Sequence, residues 1–222
     1  GTQIRLGVEG GGSFHHASGV MYLARTNTIA LSTAGYVDSG AGSPDSGNPA
    51  LTLGHNKSAP GNGTQLYLGI SNTLSLDYAT IGRGDANDLL AFNPAFLARN
   101  PSVTIQGTTG TGSRVGVYVV GDDSAGEGGS VSNTNDFSGG SVNALINYLC
   151  VGRGRDGAND TTTCNGFLTI NNGSINANRL AVGFLYPSGS NTVANGTVNV
   201  NGGALTVVTK ITLASPPNTG GS

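Results

Sequence analysis

One phrase, apolar-x-apolar-Gly, returns through this chain at nearly constant spacing. It reads Leu51-Thr52-Leu53-Gly54, Ala79-Thr80-Ile81-Gly82, Tyr118-Val119-Val120-Gly121, Leu149-Cys150-Val151-Gly152 and Leu180-Ala181-Val182-Gly183. A weaker copy, Ile211-Thr212-Leu213-Ala214, closes the series, and Met21-Tyr22-Leu23-Ala24 is taken to open it. The last residues of successive phrases are 30, 28, 39, 31, 31 and 31 positions apart. A period near thirty is the mark of a solenoid, in which each repeat buries its apolar face only against its neighbours. The expectation is an all-β fold, a parallel β-helix of about seven coils with repeats of about 31 residues.

The unit from Gly166 to Gly183 shows why the strands are β. Phe167-Leu168-Thr169-Ile170 alternates as a half-buried strand does. Asn171-Asn172-Gly173 turns the chain, because Asn and Gly tolerate positive φ. Ser174-Ile175-Asn176-Ala177 and Leu180-Ala181-Val182 supply two more short strands. The next unit repeats that order, so Leu168-Thr169-Ile170 is expected to pair in parallel with Val198-Asn199-Val200, all four aliphatic residues inward. Asn171 and Asn201 fall at equivalent positions, where stacked amides form a ladder.

Gly152, the run Gly166–Gly173 and Leu180-Ala181-Val182-Gly183 resemble the β-strand repeats of autotransporter passengers and other large bacterial surface proteins. The resemblance is strongest over 140–214 and extends more loosely back to Gly54. It implies a right-handed β-helix outside the cell. It carries no catalytic residues, and the translocation barrel of that family is absent from this sequence.

Composition agrees with a repeat rather than with disorder. The chain holds 38 Gly among 222 residues, and only 10% of residues are charged, against about 25% in ordinary globular proteins. Disordered tracts lack the alternating aliphatic positions seen here. Net charge is −2, and the only lysines are Lys57 and Lys210, so no basic stripe offers itself to nucleic acid. No apolar run approaches the roughly 18 residues of a membrane span. The expected organisation is one domain over 1–222, less regular over 1–50, with a mobile tail at 215–222.

Three sets of residues stand out as candidate sites. Asp85, Asp88, Asp122, Asp123, Asp156 and Asp160 follow the closing glycine of three successive repeats. Stacked carboxylates repel unless a cation or an arginine intervenes. Calcium suits carboxylate clusters; Arg83, Arg153 and Arg155 are the competing partners. Cys150 and Cys164 lie 14 positions apart in one repeat, a spacing that allows a local disulfide and offers no Cys-x-x-Cys pattern. The step of 39 contains Leu89-Leu90-Ala91-Phe92-Asn93-Pro94-Ala95-Phe96-Leu97. This apolar stretch reads either as a local cover or as an assembly contact through Leu89, Leu90, Phe92, Phe96 and Leu97.

Other motifs carry less. Arg83-Gly84-Asp85 has a counterpart in Arg153-Gly154-Arg155-Asp156 and so belongs to the repeat. His15-His16 lacks the further ligands a metal needs. Only Thr52, Thr80 and Thr212 are threonine among the middle residues of the phrases, too few for an ice-binding row. The expected function is that of an extracellular or cell-surface structural solenoid: a stalk, adhesin or fibre subunit that self-associates, has surface glycans as a candidate partner and is not an enzyme. The alternative is a carbohydrate-active β-helix, a polysaccharide lyase or glycosidase, using acids such as Asp122 and Asp123.

Overall fold

The computed structural model describes residues 3–8, 18–33, 37–38, 44–46, 49–61, 63–123, 130–154, 163–185 and 193–215. The fold is all-β, and its one helical element among these residues is a 3-10 helix at Pro94–Arg99.

A six-stranded parallel sheet contains β2 (Val20–Tyr22), β7 (Gln65–Leu68), β10 (Leu89–Phe92), β13 (Ser130–Phe137), β15 (Thr163–Ile170) and β17 (Val193–Val200). These strands lie side by side in chain order. A larger sheet of ten parallel strands takes the rest of each repeat. Its members are β1 (Ile4–Val8), β3 (Thr26–Leu31), β6 (Leu51–Gly61), β8 (Ser71–Leu76), β9 (Tyr78–Ala86), β11 (Ser102–Gln106), β12 (Val115–Asp123), β14 (Ser141–Gly154), β16 (Gly173–Leu185) and β18 (Ala204–Ser215). Two short strands, β4 (Val37–Asp38) and β5 (Pro44–Ser46), pair antiparallel apart from both. The larger sheet is two runs joined at β14. Its first half pairs with β11 (Ser102↔Ser141) and its second with β12 (Tyr118↔Leu149). Strands β16 and β18 continue along both halves.

The repeat phrases are register partners. Leu53, Ile81, Val120, Val151, Val182 and Leu213 form one line across β6, β9, β12, β14, β16 and β18. The opening phrase differs from expectation. Met21-Tyr22 lies in β2 of the six-stranded sheet, and the true first member is Ile4-Arg5-Leu6-Gly7: Ile4 pairs with Leu51 and Leu6 with Leu53. The longer interval between Gly7 and Gly54, which contains β4 and β5, hid that member from a search for steps of thirty.

The closing glycine of each phrase turns the strand with positive φ, at 64° in Gly54, 81° in Gly82, 75° in Gly121, 73° in Gly152 and 66° in Gly183. A side chain disfavours that conformation. The glycine also meets a strand of the six-stranded sheet: a Cβ on Gly152 would stand 2.1 Å from the carbonyl oxygen of Asn195 in β17. Ala214, at the equivalent position of the last described rung, takes φ 45° with its Cβ exposed.

Alternation divides the apolar residues between two cores. Leu149, Val151, Leu168, Ile170, Ile146 and their equivalents fill the interior. The middle residues of the phrases face the other way, yet Val119, Cys150 and Ala181 are buried there with Tyr78, Val117 and Tyr148. The second run of the larger sheet is therefore covered on both faces, which explains apolar residues where exposed polar ones would alternate. Leu168-Thr169-Ile170 pairs with Val198-Asn199-Val200 as expected. Leu168, Ile170 and Val198 pack in the core, but Val200, on the edge strand β17, is largely exposed.

The apolar stretch after Gly82 is not an insertion throughout. Leu89–Phe92 is a regular strand with Leu90 and Phe92 in the core, Phe92 lying 5.9 Å from Phe137 between ring centroids. Their burial removes Leu90 and Phe92 from the expected assembly contact. Leu89 and Phe96 are half-buried, and Leu97 is 42% exposed. The extra length of this repeat is the 3-10 helix and the turn at 107–114. Amide ladders link rungs at Asn147–Asn178 (2.8 Å) and Asn165–Asn195 (3.0 Å), while Asn171 donates to the Ser138 carbonyl. Of the expected mobile tail, Ser215 ends β18 and residues 216–222 lie outside the described residues.

Candidate functional site

Of the six candidate carboxylates, the side chains of Asp88 and Asp122 are described. Asp122, near the end of β12, has Arg83 of β9 and Arg153 of β14 as its register neighbours. Arg153 grips it in bidentate fashion, Nε donating to Oδ1 at 2.9 Å and Nη2 to Oδ2, and Nη2 also donates to the Tyr78 hydroxyl at 3.0 Å. Acid and pair partner are both buried. At Asp122 the partner is therefore an arginine, which removes the repulsion that a stacked carboxylate would feel there.

Asp88 lies elsewhere, at the entrance to β10. Its Oδ1 accepts from the Thr64 amide at 2.6 Å, and its own amide donates to Asn133 Oδ1 at 3.0 Å. The carboxyl occupies the space left by Gly54, whose Cβ would fall 2.0 Å from Oδ2. That oxygen has no hydrogen-bond partner among the described residues. Asp88 therefore stands at the entrance to a strand of the six-stranded sheet, whereas Asp122 stands in the larger one. The side chains of Asp85, Asp123, Asp156 and Asp160, like His15 and His16, lie outside the described residues. Among the described residues no three His, Cys, Asp or Glu side chains come together as metal ligands.

Burial raises the Asp88 carboxyl to about 6, against the opposing bond from Thr64. A folded-state value above the unfolded one means that the folded chain holds this proton more tightly. The stability it confers is complete below pH ~4 and is lost as pH rises through about 6. Asp88→Asn should therefore gain on the parent by about 2 kcal/mol between pH 4 and pH 7. Urea denaturation of both proteins across that range measures the difference. A constant difference would contradict the placement of Asp88.

The two cysteines are free. Cys150, a middle residue of its phrase, faces the second core beside Tyr148 and Val119, whereas Cys164 is buried in β15 of the other sheet. One repeat spans both sheets, so a short separation in sequence does not bring the thiols together, and the expected disulfide is corrected. Burial also pushes the Cys150 thiol up to about 12, leaving it unreactive.

A recess of about 250 Å³ lies on the outer face of the six-stranded sheet. One register line there reads Tyr22, Tyr67, Ala91, Asp136, Thr169 and Asn199. Tyr22 and Tyr67 stack with centroids 4.9 Å apart and planes 11° from parallel. Ala91 leaves the next place in the ladder empty. Leu89 and Ala91 form the floor, Pro94 and Leu97 a wall, and Tyr67 and Asp136 the two ends. Leu97 reaches across Gly139, whose Cβ would fall 2.4 Å from Leu97 Cδ2. Asp136 Oδ1 accepts from the Ser138 amide at 2.8 Å, and the Tyr67 hydroxyl donates to Gln65 Oε1 at 2.9 Å. Sequence reasoning missed this line because its first members belong to the repeats whose lengths differ most.

No protein-family model matches the chain, and neither a curated protein nor a solved structure matches it.

Proposed function

We propose that the chain is a parallel β-helix that serves as an extracellular structural element, a stalk, adhesin shaft or fibre subunit that self-associates end to end. Each rung runs through one strand of the six-stranded sheet and then through the two runs of the larger one. The resemblance to surface-protein repeats supports a right-handed coil and a location outside the cell. The polar groups favour passive chemistry: Asp122 is held by Arg153, and Cys150 is buried as a thiol. The bidentate hold on Asp122 disfavours its use as one acid of a glycan-cleaving pair.

The observation that carries the assembly reading is the apolar edge of the last described rung. Strand β17 pairs only with β15 and β18 only with β16 among the described residues. Ile211 is 57% and Leu213 68% exposed there, with Val193, Val200 and Val208 also open. At the other end Val20, Met21 and Tyr22 are exposed. Unpaired strand edges template further strands, and a second copy supplies rungs of matching width and register. Sedimentation velocity should show the 222-residue chain growing in mass with concentration, and Ile211→Lys/Leu213→Lys should reduce that growth by placing charge on the edge. A parent that stays monomeric at all concentrations would contradict the assembly reading.

A further inference from the structure

The geometry points to the recess between Tyr67 and Asp136 as a binding subsite for one neutral hexopyranose ring of a glycan. This goes beyond the structural role and does not rest on end-to-end assembly. The argument begins with the spacing of the ladder. Rungs lie about 4.8 Å apart, and Tyr22 already covers one face of Tyr67 at 4.9 Å. The other face of Tyr67 looks over Ala91, whose small side chain leaves room for one more ring before Asp136 is reached two rungs away. A ring in that place completes an aromatic stack begun by the protein.

The rim selects the chemistry of the ring. The far end is a carboxylate with only Oδ1 engaged among the described residues, by the Ser138 amide. Its second oxygen calls for a donor. A phenylalanine ring from a protein partner would stack on Tyr67 but cover Asp136 with nothing to donate, which is costly for a carboxylate, and a tyrosine offers one donor where a pyranose edge offers several. A pyranose has an apolar C–H face for Tyr67 and hydroxyl groups at its edge for Asp136. A uronic acid would set its own carboxylate against Asp136 and is excluded by like-charge repulsion. The wall formed by Pro94 and Leu97 leaves an opening suited to one ring of a longer chain.

Saturation-transfer difference NMR tests this on the whole protein, with methyl β-D-glucopyranoside, methyl β-D-galactopyranoside and methyl β-D-glucuronide as probes. The expected result is transfer to the ring C–H protons of a neutral glycoside and little to the glucuronide. Ala91→Tyr should fill the vacant place with a third stacked ring and weaken binding at least about tenfold. An outward-facing, half-buried strand position accepts tyrosine well, so its melting temperature should be no lower than the parent's. Tyr67→Ser, which removes the platform, should abolish the transfer as well. Absence of transfer to both neutral probes, equal transfer to the glucuronide, or binding unchanged in a folded Ala91→Tyr protein would overturn the proposal. A signal elicited by free phenol but by neither glycoside would identify the recess as a pocket for a protein's aromatic side chain and would equally overturn it.

Discussion

Asp122→Ala is expected to lower stability by about 3–5 kcal/mol, because it strands a buried guanidinium. Arg153 is enclosed among Tyr78, Cys150 and the neighbouring strands, and both of its bonds to Asp122 disappear in the variant. The loss reports the cost of an unpaired buried charge and not the net worth of the pair. Replacing both partners, as in Asp122→Leu/Arg153→Met, should therefore recover most of it. Urea denaturation of the parent, the two single variants and the double variant closes the cycle. A single variant within about 1 kcal/mol of the parent would mean that Arg153 reaches solvent or another acid.

Gly152→Ala should cost about 3 kcal/mol or more, for two separable reasons. The residue has φ 73°, which a side chain adopts at a cost of about 1–2 kcal/mol. Its Cβ would also stand 2.1 Å from the Asn195 carbonyl oxygen, which belongs to backbone and cannot swing aside. Gly110 is the control: its φ is 104°, but nothing lies within 4 Å of the position of its Cβ. Gly110→Ala should therefore show only the backbone penalty. Equal losses at the two positions in thermal or urea denaturation would contradict the close contact between Gly152 and β17. The same reasoning explains Ala214. No described rung follows to press on it, so only the milder conformational cost is felt there.

The legible part of the sequence was its aliphatic alternation. Between Leu51 and Leu213 the phrase spacing gave the parallel register, because each line of inward residues must stack on its equivalent one repeat later. Reading failed where that rule was diluted. Ile4–Leu6 was legible as a strand, but its place as first member of the phrase series was hidden because a long excursion separates it from Leu51. Leu89-Leu90-Ala91-Phe92 looked like an apolar insertion because both faces of β10 carry apolar residues, which masks the alternation that buries only Leu90 and Phe92.

The candidate sites were less legible because they depend on what faces what. Cys150 and Cys164 looked close when a repeat was treated as a point, although one repeat passes through two sheets. The acidic residues were recognised as a class and Arg83 and Arg153 as competing partners, since each directly follows a closing glycine as Asp122 does; what their positions did not give is the burial of the Asp122–Arg153 pair. The Tyr67–Ala91–Asp136 line joins repeats of unequal length, so no fixed period leads from one residue to the next.

The stacked-coil arrangement is most directly tested by distances along one register line of the six-stranded sheet. Val20, Gln65, Leu89, Thr134, Phe167 and Thr197 are successive partners on that line. Spin labels at Gln65 and Thr197, and at Val20 and Thr197, measured by electron–electron double resonance with excess unlabelled protein, report the separation within one chain. Parallel coils predict backbone separations of about 19 Å and about 24 Å, growing by one strand spacing per rung. A Val20–Thr197 distance equal to or shorter than the Gln65–Thr197 distance would mean that the sheet curls back towards closure, and would contradict the coil.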